Sequence, residues 1–102
     1  MAGFVQIVEF STSRIDEVRA LAEKFRSEMQ AQPGETPVRR VTLTADRDRP
    51  GYYLNIVEFD SYDSAMENSN RPETTEFAAK MAALCDGPPT FYNLDVVETW
   101  TE

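Results

Sequence analysis

A polar side chain stands at the same step of a segment that this chain carries three times. It is Gln6 in Gln6-Ile7-Val8-Glu9-Phe10, Asn55 in Asn55-Ile56-Val57-Glu58-Phe59, and Asp95 in the looser Asp95-Val96-Val97-Glu98. Each copy is a short β-branched run and reads as a strand, and a purely structural sheet would prefer an apolar residue at that step. Amides can donate hydrogen bonds to a developing negative charge, and a carboxylate whose pKa is raised in a largely apolar cavity can act as a base. The recurrence therefore points to a pocket, with Tyr53 as a hydrogen-bonding wall. Two plainer assignments stand beside it: Gln6 and Asn55 bonding each other across adjacent strands, and Asp95 in a salt bridge to Arg40, whose strand position has similar parity.

Composition narrows the partners. The chain has 102 residues, one domain over 1–102, and a core of modest size that a partner subunit would help to complete. A net charge of −8 argues against nucleic acid and anionic membranes, which need clustered Lys and Arg. There is no histidine, so the commonest metal ligand and general base is missing, and neither a metal nor another cofactor is expected. Glu9, Glu58 and Glu98, carboxylates alone, are a weak ligand set and are expected to make rim hydrogen bonds or salt bridges between subunits. Met1 to Phe10 lacks the basic and apolar regions of a signal peptide, and no apolar run reaches the ~20 residues of a membrane span. With Cys85 the lone cysteine, and better read as a buried thiol near a helix end than as a nucleophile, a cytoplasmic location is expected.

The elements that must position these residues follow from periodicity. Phe4 to Phe10 alternates as a strand, Ser11-Thr12-Ser13 offers hydroxyl caps, and a helix is predicted from about Arg14 to Gln30, ending before Pro33-Gly34. Its stripe of Ile15, Val18, Leu21, Ala22, Phe25 and Met29 would lie on a sheet while Arg19, Lys24 and Glu28 stay solvated. Pro37 to Ala45 reads as the second strand, Asp46 to Gly51 as a hairpin connection and Tyr52 to Phe59 as the third strand. A second helix is predicted to open at Asp60 or Ser61 and to break at Arg71, since the residue before a proline leaves helical geometry and Pro72 suits a new first turn. Asn68 to Thr74 would then form either a lid or an ordinary pair of caps. The resumed helix carries Phe77, Ala78, Met81 and Leu84 on one face and stops near Asp86-Gly87-Pro88-Pro89, and Phe91 to Trp100 is the fourth strand.

The order βαββαβ predicts a ferredoxin-like α+β domain with a four-stranded antiparallel sheet, its first and third strands side by side and, as read here, parallel. Alternation then sorts the strands into two faces. One holds Phe4, Gln6, Val8 and Phe10 with Tyr53, Asn55, Val57 and Phe59, plus Phe91, Asn93, Asp95 and Val97. The other holds Val5, Ile7, Leu54, Ile56, Leu94 and Val96, with Val41 and Leu43 assigned to it. The helices cover one face, so the second is expected against another copy, in a homodimer. The polar-aromatic face then lies under the helices, where Tyr53, Phe59, Phe77, Met81, Phe91 and Asn93 would bind a small molecule.

This element order, with the turn from Ile56-Val57-Glu58-Phe59-Asp60 into Ser61-Tyr62-Asp63-Ser64-Ala65-Met66, resembles the dimeric α+β barrel superfamily, and within it the antibiotic biosynthesis monooxygenase-type proteins. The resemblance implies a homodimer whose two sheets form a barrel, with a ligand cavity between each sheet and its own helices. In the heme-degrading branch an asparagine on the first strand and a tryptophan and histidine on the second helical region serve the chemistry. Gln6 matches the first by position, and Asn68 and Met81 fall near the others. Without histidine, and with Trp100 the only tryptophan, heme degradation is disfavoured. The cofactor-independent oxygenases of the family need no metal ligand. For that chemistry Gln6, Asn55 and Asn68 would stabilise a substrate oxyanion and Asp95 would be the base. The resemblance thus implies a monooxygenase acting on a small hydroxylated aromatic or polyketide-type molecule. A non-catalytic small-molecule-binding or stress-associated dimer, or a cyclase or isomerase of the same fold, are the alternatives.

Overall fold

The computed structural model describes residues 3–30 and 38–101, with the side chain of Gln30 excepted. Four strands and three helices run in the order β1 (Phe4–Ser11), α1 (Ile15–Gln30), β2 (Val38–Ala45), β3 (Tyr52–Phe59), α2 (Tyr62–Ser69), α3 (Pro72–Leu84) and β4 (Thr90–Asp95). The expected helix stop at Pro33-Gly34 and strand start at Pro37 lie outside the described residues.

The sheet has the order β2-β3-β1-β4, and every neighbouring pair is antiparallel. This is the ferredoxin-like arrangement, with one correction: β1 and β3 are antiparallel, not parallel. A helical crossover makes the strands it joins run the same way, and here α1 joins β1 to β2, while the β2–β3 hairpin reverses β3 before it slots between them. The reversal changes the neighbours. Gln6 stands opposite Val57 and Asn93, and Asn55 opposite Val8 and Leu43. Gln6 and Asn55 share a face but only on the diagonal, roughly 7–8 Å apart.

The register bears out most of the face sorting, since directly opposed residues project to one side. Val41 and Leu43 are the exceptions. They pair with Val57 and Asn55 and so belong to the helix-covered face. An irregularity between Val38 and Arg40 shifts the parity of β2 by one residue, which alternation alone does not reveal.

Local chemistry sets the helix ends. Thr12 Oγ1 accepts from the Arg14 N–H at 2.9 Å and donates to the Leu84 carbonyl at 2.6 Å, while the Thr12 N–H donates to the Gly51 carbonyl at 3.0 Å. One buried hydroxyl thus ties the start of α1 to the end of α3, beside the hairpin tip, where Gly51 takes φ +87°. Ser61 caps α2, its hydroxyl accepting from the Ser64 N–H at 3.1 Å. Asn70 closes α2, Arg71 is extended at φ −72° and ψ 136°, and Pro72 opens α3, so the helix breaks where the sequence predicts.

The tightest packing lies at one end of the sheet, where Phe4, Phe59 and Ala65 are buried with Val38, Val57 and Met66 against them. Tyr62 meets the Phe4 ring edge-on, centroids 5.4 Å apart. At the other end Phe10 stacks on Tyr53 at 5.7 Å, and α1 meets α3 through Phe25 and Phe77, stacked at 4.5 Å. The fourth strand is shorter than expected. It pairs only with β1, which starts at Phe4 opposite Asp95, so the ladder runs out after the Val96 N–H reaches the Gly3 carbonyl at 2.9 Å. Val97 and Trp100 are consequently exposed instead of pairing.

Candidate functional site

Between α1, α3 and the sheet lies a cavity of about 470 Å³, within the range of about 300–1,000 Å³ typical of small-molecule sites. Its apolar wall combines Phe10 of β1, Val18 and Ala22 of α1, Val41 and Leu43 of β2, and Phe77 and Met81 of α3. The stacked rings of Phe25 and Phe77 hold the two helices together. Asn55, at the middle of β3, supplies an amide to the wall. That amide is half-buried and makes no side-chain hydrogen bond to another described residue. An amide facing a cavity with both its donor and acceptor capacity free is a recognition element for a polar ligand atom.

The other sequence candidates divide. Phe77 and Met81 line the cavity with Asn55. Gln6 does not bond Asn55: its Nε2 donates to Asn93 Oδ1 at 3.1 Å, because the antiparallel register puts Asn93 directly opposite and Asn55 on the diagonal. Asp95 is exposed on the edge strand opposite Phe4, outside any apolar cavity. Its expected bridge to Arg40 is not formed, since β2 and β4 are the two opposite edges of the sheet and Arg40 meets Glu58 at 3.7 Å. Tyr53 is half-buried against Phe10, Phe59 belongs to the packed core, and Phe91 is 55% exposed. Asn68 sits half-buried on α2, its backbone carbonyl accepting from Arg71 at 3.2 Å. In the same break Thr75 Oγ1 reaches the Arg71 carbonyl at 3.4 Å, an ordinary capping contact, whereas Thr74 Oγ1 is buried without a partner among the described residues.

Phe10, Val18, Ala22, Val41 and Leu43 were not among the sequence candidates. The α1 stripe signalled the helical members, but only the register shift in β2 brings Val41 and Leu43 to this wall. Four charged residues of α1, Asp16, Arg19, Glu23 and Arg26, rim the opening.

On the other face Glu9 and Glu58 find partners within the subunit. Glu9 meets Arg49 at 3.1 Å, and Arg49 also holds Asp46 at 2.7 Å while lying 4.5 Å from the centre of the Tyr52 ring. The Arg49 side chain, followed by the Asp48 N–H, pulls the Asp46 carboxyl below its ordinary pKa. Burial, with a smaller contribution from Asp86, pushes the Cys85 thiol above its ordinary pKa, and the thiol donates to the Met81 carbonyl at 3.3 Å. Among the described residues no group of three or more His, Cys, Asp or Glu could hold a metal ion, and no helix is long and apolar enough to cross a membrane.

No protein-family model matches the sequence, and no curated protein matches it. The fold does have close counterparts among solved structures. A candidate antibiotic biosynthesis monooxygenase from Caulobacter crescentus CB15 superposes with a TM-score of 0.74 at 19% identity, covering 94% of this chain and 92% of that one. SnoaB from Streptomyces nogalater, a cofactor-independent oxygenase, superposes with a TM-score of 0.71 at 18% identity, covering 97% and 95%. This chain shares the fold of these structures. A conserved protein from Methanosarcina mazei Go1 shares that fold at TM-score 0.76 and only 9% identity, covering 92% of each chain, so the architecture persists where little sequence does. In this chain the shared fold places its cavity between the sheet and its own helices.

Proposed function

We propose that this protein is a cofactor-independent monooxygenase-like enzyme acting on a small hydroxylated aromatic or polyketide-type molecule held between α1, α3 and the sheet. The observation that carries the reading is the cavity of about 470 Å³, apolar on its floor and charged at its rim, with the Asn55 amide in its wall making no side-chain hydrogen bond among the described residues. An anthrone or quinol carries its own electrons. Once an anthrone is deprotonated, dioxygen accepts four electrons from it in all: a ring CH₂ becomes C=O, which keeps one oxygen atom, and the other oxygen atom leaves as water with the two protons. The protein needs to orient the ring, stabilise the substrate oxyanion and exclude bulk water. Asn55 is assigned the oxyanion contact, and Phe10, Val18, Leu43, Phe77 and Met81 the ring. Gln6 and Asn93 are assigned a supporting amide pair, and Asn68 a place near the helix break. The exposed face built on Ile7, Ile56 and Leu94 is assigned to a homodimer.

One observation favours a binding protein instead: Asp95, the expected base, is exposed at the sheet edge. Oxygen uptake with a panel of anthrones and quinols, in the presence of a chelator, separates the two. The enzyme reading expects uptake above the uncatalysed rate, lowered by Asn55→Leu by about 10²–10³-fold, the range for losing one oxyanion donor. A folded protein that binds the panel without accelerating uptake is a binding protein.

A further inference from the structure

Resting on the cavity reading above, we propose that the ligand is an anion, an aromatic or polyketide-type body bearing a carboxylate or an acidic phenol, and that Arg19 and Arg26 hold its charge at the cavity mouth. The chain has 18 acidic and 10 basic residues, and among the described residues Arg19, Lys24, Arg26, Arg47 and Arg71 make no ion pair, of which only Arg19 and Arg26 line this cavity. Arg14, Arg39, Arg40, Arg49 and Lys80 are all ion-paired.

Helical phase orders the four charges at the mouth, all of which line the cavity, by their distance from the apolar stripe. At about 100° per residue, Arg26 and Arg19 lie about 20° and 40° around α1 from Ile15, at the border of the apolar stripe. Glu23 and Asp16 lie about 80° and 100° away, further towards solvent. The two arginines are seven residues apart, two turns along one side and roughly 10 Å in rise. They flank Ala22, whose small side chain leaves the space between them open to Asn55, Val41 and Leu43. A planar acid seated on that apolar floor would present its anion to one or both guanidinium groups, whose forked donors match a carboxylate, while Asn55 meets a second oxygen deeper in. A neutral ring of the same shape would gain the floor and lose the clamp.

The test is calorimetric titration with anthraquinone carboxylate and with its carboxamide, which has nearly the same shape and no charge. The proposal expects the carboxylate to bind on the order of tenfold more tightly, an advantage that falls as salt is raised. Arg19→Gln and Arg26→Gln, both at exposed helix positions, should keep the wild-type melting temperature, weaken the carboxylate and leave the carboxamide unchanged. Equal binding of the two probes to the wild type, or equal loss of both in the arginine variants, overturns the anion clamp. Ala22→Trp, which fills the cavity between the arginines, keeps that failure separate from failure of the pocket. If both probes bind equally and Ala22→Trp abolishes both, the pocket stands and the clamp is wrong. If Ala22→Trp leaves both unchanged, the pocket assignment is wrong, and the clamp with it.

Discussion

Replacing Thr12 with valine tests how the cavity walls are held. Thr12 is 3% exposed, and its hydroxyl is shared between the Arg14 N–H at 2.9 Å and the Leu84 carbonyl at 2.6 Å. Valine keeps the shape and removes both bonds, leaving a donor at the start of α1 and an acceptor at the end of α3 in a site that valine also makes less polar. Leaving a buried group unsatisfied costs about 1–3 kcal/mol, and loss of a hydroxyl near a helix start typically about 1 kcal/mol. Water reaches the Arg14 side more easily than the Leu84 side, so the low half of the combined range applies, about 2–3 kcal/mol. For a domain of this length each kcal/mol moves the melting temperature by about 4–8 °C, which gives a drop of roughly 8–24 °C. Urea unfolding followed by far-ultraviolet circular dichroism reads the change directly, with Thr12→Ser as the control that keeps the hydroxyl and should lose less than about 1 kcal/mol. Since the same hydroxyl joins α1 to α3, ligand affinity in the cavity should fall together with stability. A Thr12→Val protein within about 0.5 kcal/mol of wild type would refute the assignment of Thr12 as the tie between the two helices.

Three further outcomes are expected. Ile56→Lys places a charge beside Ile7 and Thr42 on the face without helices; sedimentation should show a dimer for the wild type and a folded monomer for the variant, and a monomeric wild type contradicts the dimer. The Asp46 carboxyl has a lowered pKa, so its contribution to the β2–β3 hairpin is present above the ordinary carboxylate range and is lost as pH falls through the depressed value. Amide chemical shifts of Arg49 and Asp48 should follow that titration, and Arg49→Gln should move it back up, whereas an unmoved midpoint counts against the ion pair. The raised pKa of the Cys85 thiol means that it should react with a disulfide reagent at neutral pH more slowly than a free thiol, and reaction as fast as the free thiol contradicts its desolvation.

Much of the fold is legible in the sequence because single residues enforce it. Pro72 expels Arg71 from the helix, Ser61 caps α2, and the spacing from Ile15 to Met29 gives α1 its buried stripe. Two features depend on relations between strands and are not written locally. The direction of β3 relative to β1 follows from which strands each helix connects, and the side to which Val41 and Leu43 point follows from one irregularity between Val38 and Arg40. The candidate site inherits that division. Asn55, Phe77 and Met81 meet at the cavity because alternation and helical phase suffice to orient them. Gln6 and Asp95 do not, because the first is opposite Asn93 and the second stands exposed at the end of an edge strand. Arg19 is exposed, as a solvated helix face predicts, and its position next to the apolar stripe also brings it to the cavity mouth.

The central claim is that a hydroxylated aromatic molecule occupies the space between α1, α3 and the sheet, and amide NMR of the labelled protein titrated with a dihydroxyanthrone under nitrogen tests it most directly. The account predicts saturable shifts centred on Ala22, Leu43, Asn55, Phe77 and Met81, with little change at Ile7, Ile56 and Leu94 on the opposite face. Shifts concentrated on that opposite face, or no saturable shifts at millimolar ligand, would contradict it.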